Sequence, residues 1–343
     1  MNTINPVASF RRRSVLLGAG SLLASAASIR GARAQAPKDL AALIDAAKAE
    51  GEVMFYSAAT VNVAQRIAAA FTAKYGIKAN FLRLDSTVLL QRFSTEAEAG
   101  NFIADLIFVA GRVHEFSTDG VKKGWIRPVQ GLPAQVSGEF AAKYTREASA
   151  LIQIAPWGMA VNTDRVKTDL PTTWKDLLAP RYKGQLLISD VTQSDALLDF
   201  WGLLLDTYGE VFFKSFLAQS PRLYPGVVPA TQAIGAGEGM VQLPNVAASV
   251  TAVTSKGAPV QFIIPDLATG VEMQLVLTQK SKHPNAANLL AHYVMSLEGN
   301  KVFNDDPGSL SVYDTSKLPK QYTSPKPGVY TRLGEIKRVL NQS

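Results

Sequence analysis

The chain has no cysteine among its 343 residues. That absence excludes disulfide staples, thiolate metal centres, a cysteine nucleophile and lipid attachment through an N-terminal cysteine. Histidine is nearly as scarce: His114, His283 and His292 are too few and too dispersed for a metal cage built on local spacing. His283 precedes Pro284 at an expected helix start and His292 falls inside that helix, so both read as structural. His114 follows a strand closely and stays open as a ligand contact. Motifs of group-transfer chemistry are missing too, with no G-x-S-x-G, H-E-x-x-H or G-x-x-x-x-G-K-[ST]; Gly235-Ala236-Gly237-Glu238-Gly239 stops one glycine short of a dinucleotide fingerprint. No internal repeat or low-complexity tract occurs, and nothing beyond the first 34 residues approaches the ~20 apolar residues of a membrane span.

What is present begins with Arg11, Arg12 and Arg13, followed by an uncharged run from Val15 to Ile29 and small residues at Ala32 and Ala34. The pattern predicts an export signal over residues 1–34 cleaved before Gln35, and Arg12-Arg13-Ser14-Val15-Leu16 is of the twin-arginine type. Its removal changes the charge. Of 35 basic side chains, five arginines lie in residues 1–34, leaving 30 against 28 acidic groups, so the formal +7 says little about a partner. Without a basic stripe in residues 35–343, nucleic acid is not expected as a partner. A diffusible monomer of the periplasm is expected, with no membrane anchor.

Residues 35–343 exceed what one compact core serves, so two lobes are expected. Leu40, Leu43, Ile44 and Ala47 fall at helical spacing before Gly51; Val53–Ser57 reads as a strand, a helix capped by Thr60 or Asn62 follows, and Ile77–Leu84, Ser86–Ala99 and Asp105–Ala110 continue the alternation. This β-α-β-α-β order predicts parallel pairing. Pro156-Trp157-Gly158 interrupts the extended stretch 150–161 and marks a crossing between lobes, and 259–265 marks the return. Between them a second α/β series contains the strand 185–189, helices near 192–208, 211–217, 229–236 and 245–256, and the strand 240–243. The strand 273–278 and a helix 285–297 follow, then a tail punctuated by Pro and Gly with a last helical piece near 334–340. The expected organisation is lobe 1 over 35–153 and 264–343, with the tail, and lobe 2 over 154–263.

Open α/β sheets bind ligands at the carboxyl ends of their strands. The candidate contacts are therefore Ser57, Ala59 and Thr60 after the first strand, Ser86 after the second, and Arg112 after the third, where a guanidinium can hold a carboxylate or phosphoryl group bidentately or, on the competing reading, form a surface salt bridge. Opposite them stand Thr192 and Ser194 at the start of the long helix, with Thr231 and Asn245 opening two more. Trp157 beside the crossing fits a hinge plug, a core residue or a ring stacked on ligand. Capping alone also explains Thr60, Thr192 and Ser194. No catalytic or metal-binding set and no cofactor emerges from these residues.

Four phrases in order along the chain carry a family likeness: 71–77 (FTAKYGI); 96–100 (EAEAG) leading to 104–107 (ADLI); 170–177 (LPTTWKDL) continuing to 180–184 (PRYKG); and 282–287 (KHPNAA) with 296–300 (SLEGN). Together they resemble the bacterial periplasmic solute-binding proteins of ABC importers, in the branch related to ferric-iron binders. The resemblance implies a type II periplasmic-binding fold, two lobes of mainly parallel sheet flanked by helices and joined by two crossover hinges. It further implies a small-molecule ligand held by hinge closure and delivered to a membrane permease. In iron-binding relatives adjacent tyrosines follow the strand matching 240–243; here Pro244–Ser249 has none, and Tyr56 and Tyr224 are isolated. A hard Fe³⁺ ion needs anionic oxygen ligands. The expected cargo is therefore a small organic anion (carboxylate, phosphonate or phosphate), with a ferric-iron or metal-chelate receptor as the alternative. An envelope enzyme using Asp190 or Asp195 near Ser194 is the rival from another class, and a receptor presenting its ligand to a membrane sensor would carry the same features.

Overall fold

A computed structural model describes residues 39–342 of the chain. The expected export signal, residues 1–34, lies outside the described residues.

The amino-terminal pattern folds as its spacing requires. Helix α1 (Leu40–Glu50) starts at Asp39, whose carboxylate accepts the Ala41 N–H, and ends at Gly51 in the left-handed region. Strand β1 (Glu52–Ser57), helix α2 (Val61–Tyr75), strand β2 (Lys78–Arg83), helix α3 (Ser86–Glu98), strand β3 (Leu106–Val109) and helix α4 (Val113–Lys122) follow. β1 pairs in parallel with β2 and with β3. Strand β4 (Ser149–Pro156) then leads through Trp157 into β5 (Gly158–Asn162) of a second sheet.

The second sheet adds β6 (Leu186–Ser189), β7 (Arg222–Tyr224), β8 (Val241–Asn245) and β9 (Val260–Ile263), in the order β9-β5-β8-β6-β7. Helix α5 (Asp195–Leu217) runs between β6 and β7, α6 (Val227–Gly235) between β7 and β8, and α7 (Ala247–Thr254) between β8 and β9. The long strand β10 (Gly270–Thr278) returns to the first sheet, pairing antiparallel with β3 and β4. Helices α8 (Pro284–Met295), α9 (Leu297–Phe303) and α10 (Leu333–Val339) complete the described chain.

Both sheets are mixed rather than mainly parallel. The βαβ units give parallel pairs in each, but the strands entering and leaving the crossings, β4, β5, β9 and β10, pair antiparallel. The two crossings run against each other. The Trp157 N–H donates to the Thr269 carbonyl at 2.8 Å, and each crossing has a glycine where a side chain would collide with the other: Gly158 against the Ile263 carbonyl, Gly270 against the Ala155 carbonyl and Pro156.

Two larger cores lie apart. One joins Phe55, Phe71 and Phe108 to α8; the other packs Trp174, Phe200, Trp201, Phe213 and Phe216 around α5. Ile336, Val339 and Leu340 of the tail also enter the second core. The tail expected with lobe 1 thus makes a third passage between the sheets, because it carries its own apolar face and buries it against α5. Among the described residues no helix is long and apolar enough to cross a membrane.

Candidate functional site

The ends of β3 and β6 meet across the gap between the sheets. Arg112, just before α4, donates from Nε to Asp195 Oδ2 at 2.6 Å and from Nη2 to Asp195 Oδ1 at 3.3 Å. Asp195 is the first residue of α5, where a carboxylate also suits the positive end of the helix dipole. The Arg112 guanidinium stacks on the Tyr330 ring, 4.6 Å from its centroid. Of the two expectations for Arg112, the structure shows the salt bridge, with a protein carboxylate as the partner, since α4 and α5 begin opposite each other.

This pair forms a wall common to two cavities. One, of about 410 Å³, has Ser86, Thr87, Phe116, Trp157 and Ser194 on its sides. The other, of about 320 Å³, is bounded by His114, Arg146, Asp199, Glu272 and the Ser324–Tyr330 segment. Both are rich in carboxylates. The first has Glu115, Asp119 and Asp195 against Arg112 alone; the second adds Glu147, Asp199 and Glu272 to Glu115 and Asp195, with Arg146 and Lys326. Glu272 accepts the Tyr322 hydroxyl at 3.1 Å and faces Arg146 at 3.6 Å. Burial pushes the Asp199 carboxyl up to about 7; the Lys326 backbone N–H opposes it, while Asp195, Glu272 and Glu115 push the same way as burial.

Of the residues chosen from sequence, Ser86, Arg112, Trp157 and Ser194 line one cavity. Ser194 also caps α5, accepting the Ala196 N–H, and the Trp157 indole N–H donates to the Ala196 carbonyl at 3.1 Å. The other choices lie elsewhere. Ser57 is buried and its Oγ accepts the Ala59 N–H. Ala59 is buried, and Thr60 caps α2 through the Val63 N–H. Thr192 belongs to a separate 3₁₀ turn before α5 and gives its hydroxyl to Asp190 at 2.8 Å. Thr231 and Asn245 do not open helices: α6 begins at Val227, so Thr231 sits mid-helix and bonds back to the Val227 carbonyl. Asn245 ends β8, fully buried, and donates to Thr231 Oγ1 at 3.0 Å.

Tyr56 and Tyr224, the isolated tyrosines, give their hydroxyls to Glu96 and Glu238. Among the described residues no group of three His, Asp or Glu side chains is placed to hold a metal ion. Sequence reasoning did not include Glu115, Asp199, Glu272 and Tyr330. For the tail contribution the signal was Ser324-Pro325-Lys326-Pro327-Gly328, whose prolines favour an extended strap over a helix.

A family model described as bacterial extracellular solute-binding protein matches residues 113–326. An uncharacterised protein of Haemophilus influenzae is 24% identical over 310 residues, covering 82% of this chain and 84% of that protein. Among solved structures, the periplasmic binding protein AfuA of Actinobacillus pleuropneumoniae, with fructose-6-phosphate bound, aligns with a TM-score of 0.62 and 22% identity over 85% of this chain and 97% of its own. Iron-bound HitA of Pseudomonas aeruginosa aligns at 0.65 and 17%, over 84% and 98%. These likenesses establish the two-lobed type II fold, and with the family match they lead to one conclusion: the chain belongs to the bacterial extracellular solute-binding proteins.

Proposed function

We propose that the protein is the periplasmic binding component of an ABC importer, taking up a hydroxylated organic ligand with one anionic head and presenting it to a membrane permease. The observation that carries this reading is the Arg112–Asp195 pair. Asp195 holds the guanidinium in the two-pronged geometry that a ligand carboxylate or phosphoryl group would adopt. A ligand head exchanges with Asp195, and its body enters the cavity beside Ser86, Thr87 and Ser194.

The carboxylates there restrict the cargo. Glu115 and Asp119 repel further negative charge but accept hydrogen bonds from hydroxyls, and Phe116 and Trp157 offer apolar faces. A sugar acid or sugar monophosphate fits this combination, and the fructose-6-phosphate held by AfuA is a molecule of that description. Closure about the crossings at Trp157 and Thr269 would signal loading to the permease.

A thermal-shift screen of sugar phosphates, hydroxy acids and phosphonates, with neutral sugars and amines as controls, tests the reading. A hydroxylated compound with a single anionic head, carboxylate or phosphoryl, should stabilise the protein. Arg112→Ala should weaken it at least tenfold, about 1.4 kcal/mol, and Asp195→Asn should strengthen it by removing the competing carboxylate. Stabilisation by neutral sugars or amines alone would overturn the proposal.

A further inference from the structure

We propose that a third cavity, beneath the Ser324–Gly328 strap, is a separate binding site for a small primary ammonium on an apolar body, with Asp199 and Thr269 as its polar contacts. The inference goes beyond the cleft reading and does not depend on it. The cavity, of about 290 Å³, lies between α5 and the tail, with Gly202, Leu203, Pro325, Pro327 and Val329 as its apolar sides.

Two polar groups on this lining lack, among the described residues, what they need: Thr269 a partner for its hydroxyl, and Asp199, whose carboxylate accepts the Lys326 backbone N–H, a counter-charge. Thr269, on the return crossing, is 2% exposed, and its Oγ1 has no hydrogen-bond partner. Asp199, one turn into α5, forms no ion pair among the described residues. The cations nearby are committed: Lys326 and Arg332 both bind Asp206, at 2.8 and 2.9 Å, and Arg332 also binds Glu335 at 2.7 Å. The charged groups that raise Asp199 are Asp195 and Glu115 from the neighbouring cavity and Glu272 on β10, while Arg146 and Lys326 of that cavity are engaged elsewhere, Arg146 with Glu272 at 3.6 Å and Lys326 with Asp206. An ammonium brings the missing positive charge and three donors, which suit a carboxylate and a hydroxyl together. The prolines, Leu203 and Val329 receive an apolar body. Because the site joins the crossing to α5, its occupant bridges the hinge and the second lobe.

The probe is 2-phenylethylamine, titrated calorimetrically into the purified protein, with 2-phenylethanol as its uncharged isostere. At pH 8 the amine should bind at least tenfold more tightly than the alcohol. At pH 5.5, where the burial-raised Asp199 carboxyl keeps its proton, the amine should lose at least tenfold. Asp199→Asn should cause the same loss and abolish the pH dependence, and Thr269→Val, which keeps the side-chain shape, should weaken binding while leaving the fold intact. Arg112→Ala should abolish binding of the cleft ligand but not of the amine, which separates this site from the cleft. No binding of the amine, equal binding of the alcohol, or full binding by both variants would overturn the proposal.

Discussion

Asp105 holds together three segments of the first lobe. At 1% exposure it accepts the Met54 N–H at 2.8 Å, the Ser281 hydroxyl at 2.7 Å and the His283 N–H at 3.1 Å, with His283 Nδ1 at 2.9 Å. Asp105→Ala would leave these half-buried partners without their acceptor at a cost of about 3 kcal/mol, read as a lower urea midpoint. The contact also explains a family phrase: Asp105 and His283 belong to two of the four stretches, and Glu50 receives the Asn285 and Ala286 N–H groups beside them. Such phrases are legible because they staple the fold, and for the same reason they reveal no ligand. Asp199 behaves oppositely. Its folded pKa is raised, so the unfolded chain releases that proton first, and stability should fall as pH climbs from about 4 to about 7. Asp199→Asn should remove that slope, on the order of 2 kcal/mol, in urea midpoints measured from pH 5 to 8. His292 adds the reverse dependence: burial lowers its pKa and Nδ1 accepts the Ala134 N–H, so stability should also fall as pH drops below ~6.5.

Element boundaries were legible where punctuation is local. Gly51 and Gly76 end α1 and α2 with positive φ, and Thr173 with Asp176 forms the capping box of the 170–177 phrase. The break expected between helices at 208 and 211 is also present: α5 continues across it, but Gly209 there has φ 67° and ψ −179°. A side chain is strained in that conformation, so Gly209→Ala should destabilise by roughly 1–3 kcal/mol, read from chemical unfolding. The start of α6 was misplaced because Pro229 mimics a first-turn proline, whereas the helix already begins two residues earlier, after Gly226. That shift moved Thr231 from a helix mouth to a buried back-bond. Antiparallel pairing at the crossings was invisible for a different reason: strand direction depends on which sheet the chain enters, and no local residue pattern records it.

At the scale of the molecule, two lobes and the first crossing could be read from Pro156-Trp157-Gly158. The return expected at 259–265 falls mostly on β9 of the second sheet, the chain crossing only between β9 and β10, and the third passage could not be read. An amphipathic tail helix shows that it will be buried but not against what. The cleft was legible in part, since strand-end loops supplied Ser86, Arg112, Trp157 and Ser194; the acidic character of the gap arises from α4, α5, β10 and the strap meeting in space. Because Arg112 and Asp195 link elements on the two sides of that gap, Asp195→Ala should loosen the ligand-free protein. Small-angle scattering should give it a larger radius of gyration than the wild type, and an unchanged radius would show that the pair does not hold the lobes together.

Helix α1 packs in the first core and α10 in the second, so the first and last helices among the described residues ride on opposite halves. A donor fluorophore fused at one end and an acceptor at the other would change their energy transfer as the lobes move, giving an optical sensor for the cargo without any insertion into the folded body.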